Sequence, residues 1–169
     1  MPMNEREIDL LAAELGKRLL AQRSRVATAE SCTGGLVAGA ITSIAGSSDW
    51  FDRGFVTYSN SAKRELLDVD ESVLRAYGAV SEPTAIAMAE GALKRSEAAL
   101  TVAITGIAGP GGGTPEKPVG MVCFAWARKG GATISRTHYL SGNRADVRQA
   151  SVAIALRGLI DAVESASAR

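Results

Sequence analysis

Apolar residues recur at every third or fourth position near the start of the chain. Ile8, Leu11, Leu15 and Leu19 follow this spacing, and Asn4 with Glu7 resembles a capping box. The pattern predicts an amphipathic helix over residues 4–23. Similar stripes and start signals predict four more helices, over residues 36–45, 61–67, 84–95 and from 143 to the end of an apolar stripe at 163.

Short apolar and β-branched runs lie between these helices. They predict five strands, over residues 25–29, 54–58, 98–105, 119–127 and 133–140. The last two are separated by Lys129, Gly130 and Gly131, which is typical of a hairpin. Strands that alternate with helices, together with one hairpin, predict an α/β fold with a mixed sheet between two helical layers. With no linker or repeat, residues 1–169 are expected to form a single three-layer α/β/α domain.

Composition narrows the possible functions. The 169 residues are 46% hydrophobic and carry 19 Lys+Arg against 18 Asp+Glu, for a net charge of +1. Without a basic run, there is no electrostatic reason to expect binding to nucleic acid or to an anionic membrane. The first residues lack a signal-peptide pattern, and no apolar run reaches the roughly 20 residues of a membrane span. We therefore expect a cytoplasmic protein.

Cysteine and histidine are scarce. Cys32 and Cys123 are far apart without a CxxC pattern, and His138 is the single histidine. The sequence therefore predicts neither a disulfide framework nor a metal site built on cysteines or several histidines. A Ser/His/Asp triad is not favoured, because His138 lies in an alternating strand segment where a surface or pocket-edge role fits better. Cys32 as a thiolate nucleophile is a weaker alternative, since no basic histidine is close in sequence.

Ser31 is the first candidate for chemistry, because it lies where a predicted strand gives way to a helix. Ligands of open α/β sheets bind at such carboxyl ends of strands. Gly34 and Gly35 would let the backbone approach a ligand, and free amides at the following helix start could stabilise an oxyanion or a phosphate. The alternative is that Ser31 or Thr33 merely caps the helix.

A serine nucleophile needs a base, and Lys63 is the candidate. It falls in the first turn of a predicted helix, where the positive end of the helix dipole disfavours an ammonium ion. The dipole alone is too weak to neutralise a lysine, so burial must contribute. Tyr58, five residues earlier, could position the base or pass a proton. A solvated lysine and an ordinary strand aromatic are the alternatives.

Two further features could bind an anion. The glycine-rich loop over residues 106–113 offers backbone amides, but it lacks the GK[ST] ending and the full GxGxxG spacing. The loop therefore gives no indication of ATP hydrolysis or hydride transfer. It could equally be a flexible connection. Arg144 and Arg148, four residues apart at the start of the last helix, could grip a phosphate together or simply be solvated.

Several motifs in order resemble the CinA C-terminal domain family. They are Ala29-Glu30-Ser31-Cys32-Thr33-Gly34-Gly35, Thr57-Tyr58-Ser59-Asn60 with Lys63, Gly78-Ala79-Val80-Ser81, Thr105-Gly106-Ile107-Ala108-Gly109-Pro110, Lys117-Pro118-Val119-Gly120, and Ser141-Gly142 with Arg144. The resemblance spans nearly the whole chain. It implies a nicotinamide-nucleotide amidohydrolase, which converts nicotinamide mononucleotide and water to nicotinic acid mononucleotide and ammonia. It implies no metal or organic cofactor.

The resemblance also implies roles for residues. Ser31 would attack the carboxamide carbon, and Lys63 with Tyr58 would take its proton. The oxyanion and ribose contacts are expected from Thr105, Gly106 and the backbone after Ser31, at Cys32, Thr33, Gly34 and Gly35. Arg144 and Arg148 are expected at the 5′-phosphate.

The resemblance bears on assembly and scope as well. Family members are typically dimers, so a homodimer is expected. The additional molybdopterin-binding-like domain of longer members, and its activity, are not expected here. Two alternatives stay open: a non-catalytic module that binds a nucleotide or a partner, and an amidase for another small amide.

Overall fold

The sheet at the centre of the molecule is mixed, as the sequence predicts. The computed structural model describes residues 4–167. The strands are β1 (Val26–Glu30), β2 (Phe51–Val56), β3 (Leu100–Gly106), β4 (Met121–Arg128) and β5 (Ile134–Tyr139), in the order β2-β1-β3-β4-β5. β1 runs parallel to β2 and β3, whereas β4 is antiparallel to β3 and β5. The predicted hairpin is therefore β4–β5.

Six α-helices surround the sheet in the described part of the chain. They are α1 (Glu5–Ala21), α2 (Leu36–Thr42), α3 (Asn60–Leu67), α4 (Glu71–Tyr77), α5 (Glu82–Lys94) and α6 (Arg144–Ser167), with a short 3₁₀ helix at Ser47–Asp49. α4 and the 3₁₀ helix were not predicted. α4 buries only Leu74, so a seven-residue segment carries no apolar stripe to recognise.

The second strand begins and ends earlier than predicted. The sequence predicts residues 54–58, whereas β2 covers Phe51–Val56. β2 is an edge strand paired only with β1, and its Asp52 and Arg53 form an ion pair at the surface. These polar residues hide the strand pattern at its start. Tyr58 therefore lies in the connection to α3, not in the strand.

Helices cover both faces of the sheet. α1, α2 and α6 pack on one face against Val102 and Ile104 of β3, in a core that also holds Trp50 and Phe124. α3, α4 and α5 pack on the other face, against Ala103 of the same strand. The alternation follows from the two-residue period of a strand, and it gives the predicted three-layer sandwich. Within residues 4–167, no helix is long and apolar enough to cross a membrane.

Candidate active site

The carboxyl ends of β1 and β2 lie side by side and bring Ser31 and Lys63 together. Glu30, the last residue of β1, pairs with Val56, the last residue of β2, and the amide of Thr57 donates to the Glu30 carbonyl at 2.8 Å. Ser59 then begins α3, because its hydroxyl accepts from the amide of Ala62 at 3.1 Å. Lys63, one turn into α3, points back toward Ser31. Its Nζ lies 3.2 Å from Ser31 Oγ.

Lys63 is buried, and no counter-ion contacts it among the described residues. Its side chain is 1% exposed, and it takes part in none of the salt bridges among the described residues. Nζ contacts the carbonyl oxygens of Thr57 at 3.1 Å and Tyr58 at 3.3 Å. Burial lowers the pKa of Lys63 below its ordinary value of 10.5, while the nearby Cys32 acts in the opposite direction.

These contacts fit both protonation states of the amine. An ammonium would donate to Ser31 Oγ and to both carbonyls, whereas a neutral Nζ has two N–H donors, which match the carbonyls of Thr57 and Tyr58, and one lone pair. The lone pair can then accept the Ser31 hydroxyl proton across the 3.2 Å contact. The arrangement can therefore activate the serine as a nucleophile.

Tyr58 contributes to this contact through its backbone. Its carbonyl faces Lys63, whereas its side chain is 63% exposed and its hydroxyl accepts from Arg144 at 3.3 Å. The sequence offers two roles for Tyr58, to position the base or to pass a proton. The carbonyl contact is compatible with the first role, and the contact of the hydroxyl with Arg144 gives the second no support.

The neighbouring thiol is protonated at neutral pH. Cys32 is buried, and desolvation raises the pKa of its thiol to about 12, although its own backbone amide favours the thiolate. A thiol with such a pKa is a weak nucleophile at neutral pH. The hydroxyl of Ser31, with an amine beside it, is the better placed nucleophile.

Glu30 is a component of the site that the sequence reasoning missed. Its side chain is fully buried, and its two carboxylate oxygens accept from the amides of Val37 at 2.9 Å and Ala38 at 3.0 Å. Glu30 therefore caps α2, and the expectation that Ser31 or Thr33 does so is wrong. A signal was available, because Glu30 is an acidic residue that ends an otherwise uncharged strand directly before a turn.

This capping limits which amides are open to an anion. The sequence predicts oxyanion contacts at Thr105, Gly106 and the backbone after Ser31, and it also offers free amides at the start of α2 as possible donors. Two of the helix-start amides are occupied by Glu30, and the amide of Leu36 donates to the Thr33 carbonyl at 2.9 Å. The helix start is therefore a poor source of donors, and the role of the backbone after Ser31 stays a prediction.

Both arginines of the last helix contact loops that surround Ser31. Arg144 donates to the Gly109 carbonyl at 2.8 Å, in addition to its contact with Tyr58. Arg148 donates through Nε to the Cys32 carbonyl at 3.1 Å and through a terminal nitrogen to the Thr33 carbonyl at 3.4 Å. The two side chains therefore hold different segments: Arg144 the glycine-rich loop, and Arg148 the turn after Ser31.

Comparison with known proteins identifies the family. Residues 8–163 match the family model described as the CinA C-terminal domain. The chain belongs to this family. A nicotinamide-nucleotide amidohydrolase PncC from Escherichia coli (strain K12) is 52% identical over 157 residues, which cover 93% of this chain and 95% of that protein. A CinA-like protein from Mycolicibacterium vanbaalenii is 58% identical over 138 residues, and the matched part is 32% of its length.

Solved structures of family members have the same fold. A competence/damage inducible protein from Agrobacterium tumefaciens superposes with a TM-score of 0.90 at 50% identity, over 94% of this chain and 96% of that chain. A CinA superfamily protein from Escherichia coli superposes with a TM-score of 0.88 at 37% identity, over 95% and 93% of the two chains. The three-layer sandwich is therefore the fold of this CinA family member.

The remaining motif residues of this CinA family member hold loops around the site. Thr105 is buried at the end of β3, and its hydroxyl donates to the Ala79 carbonyl at 2.7 Å. Gly106 follows, and a Cβ there would approach a methyl group of Val122 to 2.7 Å, so close packing requires glycine. The glycine-rich loop is closed by two backbone bonds, from Ile107 to Met121 and from Gly120 to Ile107.

A pocket opens beside Arg144. It is lined by the glycine-rich loop and the start of α6, at Ala108, Pro110, Val119, Gly142, Asn143, Arg144 and Ala145. His138 lies elsewhere, in a cleft of about 540 Å³ between β5 and the second half of α6, with its ring edge-on to Phe124 at 5.4 Å.

Proposed function

We propose that this protein is a nicotinamide-nucleotide amidohydrolase, with Ser31 as nucleophile, Lys63 as base and nicotinamide mononucleotide as substrate. Its relationship to enzymes of that name makes it a hydrolase that acts on an amide. The observation that carries the mechanism is the buried Lys63 amine, 3.2 Å from Ser31 Oγ with no carboxylate partner among the described residues.

Acylation begins at the Ser31 hydroxyl. Neutral Lys63 takes the hydroxyl proton as Oγ bonds to the carboxamide carbon, which leaves a tetrahedral oxyanion and a lysine ammonium. The oxyanion collapses, the carbon–nitrogen bond breaks, and Lys63 returns the proton to the departing nitrogen. The products of this half-reaction are ammonia, an acyl ester on Ser31 and neutral Lys63.

Deacylation repeats the proton transfers with water. Lys63 takes a proton from a water molecule that attacks the ester carbon, and a second tetrahedral oxyanion forms. Its collapse breaks the bond to Ser31 Oγ, and Lys63 protonates Oγ. Nicotinic acid mononucleotide leaves, and both side chains regain their starting forms. The same amine thus acts as base and acid in each half-reaction.

Substrate binding is assigned to the surroundings of this pair. Arg144 borders the pocket at the glycine-rich loop, and its guanidinium suits the 5′-phosphate. Thr105 and Gly106 end β3. They lie close to Ser31, because the amide of Ser31 donates to the carbonyl of Ile104. We assign the ribose contacts to these two residues. In this assignment Tyr58 supports Lys63 through its carbonyl and Arg144 through its hydroxyl.

The sequence also predicts an oligomeric state and a cellular location for the protein. The protein is expected to act as a homodimer in the cytoplasm, where pyridine nucleotides are recycled. Light scattering on the purified protein measures the first property. Neither property enters the proposed chemistry.

Substrate identity is tested by comparing three amides. Purified protein is incubated with nicotinamide, nicotinamide riboside and nicotinamide mononucleotide, and ammonia and acid products are quantified. We expect kcat/KM to be highest for the mononucleotide, because only it offers a phosphate to Arg144. Preference for a different amide would overturn the substrate assignment, and tight binding of the mononucleotide without ammonia release would favour a binding module.

A further inference from the structure

We propose that Arg148 is a positioning residue of this site: through the Cys32 carbonyl it orients and polarises the peptide group of Thr33, one of the unpaired amides in the turn after Ser31 that can donate to the oxyanion formed there. The inference rests on the proposed function. It assigns Arg148 a role in the chemical step instead of the phosphate contact expected from the sequence.

Only a few amides near Ser31 are placed to donate to an oxyanion. The oxyanion forms on a carbon bonded to Ser31 Oγ, so its donors must lie in the turn directly after Ser31. The amide of Gly34 donates to the Ser31 carbonyl at 3.0 Å and is therefore occupied. Among the described residues, no carbonyl and no side chain of another residue accepts from the amides of Cys32, Thr33 and Gly35. Those amides are the donors that remain in the turn.

The start of α2 is closed to the oxyanion. Glu30 occupies the amides of Val37 and Ala38, and its buried carboxylate places negative charge at that helix end. An anion of the substrate is repelled there. Glu30 therefore confines oxyanion stabilisation to the turn.

Arg148 holds the Thr33 amide, which is one of these donors, through the carbonyl of the same peptide group. The Cys32 carbonyl and the Thr33 N–H belong to one planar peptide group and point in opposite directions. Arg148 Nε donates to that carbonyl at 3.1 Å, so it fixes the direction of the N–H on the other side. A cationic donor on the carbonyl also polarises the peptide and strengthens its N–H as a donor.

Arg148 also fixes the next peptide group. Its terminal nitrogen lies 3.4 Å from the Thr33 carbonyl, and the N–H of that peptide, on Gly34, donates back to the Ser31 carbonyl. Two consecutive peptide planes are thus held between one guanidinium and the nucleophile residue. Oxyanion donors are effective when they are oriented before reaction, which this bracing provides.

The two arginines consequently have different roles. Arg144 lines the pocket at the glycine-rich loop, and Arg148 is not among the described residues that line it. Arg144 is one helical turn nearer the start of α6 than Arg148. Phosphate binding is assigned to Arg144, and support of the oxyanion donor to Arg148.

The test separates binding from turnover. Arg148→Gln and Arg144→Gln are compared with the wild type by kcat and KM on nicotinamide mononucleotide, and each is placed in a Ser31→Ala background to measure the Kd of the nucleotide by calorimetry. We expect Arg148→Gln to lower kcat about 100-fold, the cost of a weakened oxyanion donor, with Kd changed less than about threefold. Arg144→Gln should instead raise Kd about tenfold or more, the loss of a charged phosphate contact.

The inference would be overturned if Arg148→Gln raised the Kd as much as Arg144→Gln does and kept the wild-type kcat at saturating substrate. Arg148→Lys serves as the second variant, with circular dichroism to establish folding. Lysine keeps the charge but lacks the planar guanidinium that reaches both carbonyls. The kcat of Arg148→Lys should therefore lie between those of the wild type and Arg148→Gln. Wild-type kcat in folded Arg148→Lys would also overturn the inference. Failure of the proposed function is distinguishable from failure of this inference. In that case the wild type would release no product, or the single variant Ser31→Ala would release product as the wild type does.

Discussion

The Lys63 amine and the Ser31 hydroxyl lie 3.2 Å apart although 32 positions separate them in the chain. The parallel pairing of β1 and β2 creates this contact, because it places the two strand ends at one edge of the sheet. Burial of Lys63 follows from the same geometry, since α3 packs over the sheet directly after β2. The fold thus brings the amine to the serine and also supplies the burial that lowers the pKa of Lys63.

Removal of the amine should abolish catalysis and leave the fold intact. We expect Lys63→Met to lower kcat/KM by about 10²–10⁴, the usual contribution of a general base. Methionine matches the apolar stem of lysine and fills the same buried space. Steady-state kinetics and circular dichroism check the result, with exposed Lys17→Met as the matched control. Turnover by Lys63→Met within tenfold of the wild type would exclude Lys63 as the base.

Activity should rise with pH as Lys63 loses its proton. Burial lowers the pKa of Lys63 below 10.5, and only the neutral amine can accept the Ser31 proton. The profile of kcat/KM is therefore expected to have an ascending limb with a midpoint below 10.5. A kcat/KM that falls as pH rises toward 10.5, or that does not change with pH, would be inconsistent with a lysine base.

The same shift couples folding to pH. Between the lowered folded-state pKa and the ordinary value of 10.5, the unfolded chain binds a proton at Lys63 that the folded chain lacks. The free energy of unfolding contributed by Lys63 therefore increases as pH rises through this window. Urea denaturation at several pH values should show this increase in the wild type and not in Lys63→Met. Identical pH slopes for both proteins would contradict the assignment.

Neutralising Glu30 should cost stability. In Glu30→Gln the side-chain amide offers one acceptor where the carboxylate offers two, so one buried amide of α2 loses its partner. We expect a loss of about 1–3 kcal/mol in the free energy of unfolding, the usual cost of such a group. Exposed Glu97→Gln is the control and should change stability by less than about 0.5 kcal/mol. Equal stability of the two variants would show that the cap contributes little.

Two glycines of the same region should respond in opposite ways. Gly35 has φ of 106° at the start of α2, a backbone region that side chains rarely adopt, whereas a Cβ on Gly39 within α2 meets nothing within 4 Å. Gly35→Ala is expected to lose about 1–3 kcal/mol through strain. Gly39→Ala should gain about 0.5–1 kcal/mol through helix propensity. Denaturant titration of both variants measures the pair, and a shared sign would refute this explanation.

The phenol of Tyr58 should be dispensable for proton transfer. Tyr58→Phe keeps the carbonyl that contacts Lys63 and removes only the hydroxyl bonded to Arg144. We expect an unchanged midpoint of the ascending pH limb, with any effect confined to KM. If kcat fell about 100-fold or more, the hydroxyl would have to act in the proton relay.

The sequence predicted the proximity of Ser31 and Lys63 better than the contacts that surround them. Ser31 and Lys63 could be found because each lies at a strand-to-helix junction, where position itself indicates a site. Glu30 left a local signal that was not used, because its partners lie only seven and eight residues further along the chain. The contacts of Arg148 could not be predicted, since its partner Cys32 is 116 residues away and no local pattern records such a contact. The shift of β2 and the missed α4 reflect segments with too few buried residues to show a period.

Product release by the wild type and by Ser31→Ala is the most direct measurement. Both proteins, verified as folded, are incubated with nicotinamide mononucleotide, and ammonia and nicotinic acid mononucleotide are quantified. The wild type should release the two products in equal amounts, and Ser31→Ala should release neither while still binding the nucleotide. Equal release by both proteins would remove Ser31 as the nucleophile and contradict the mechanism.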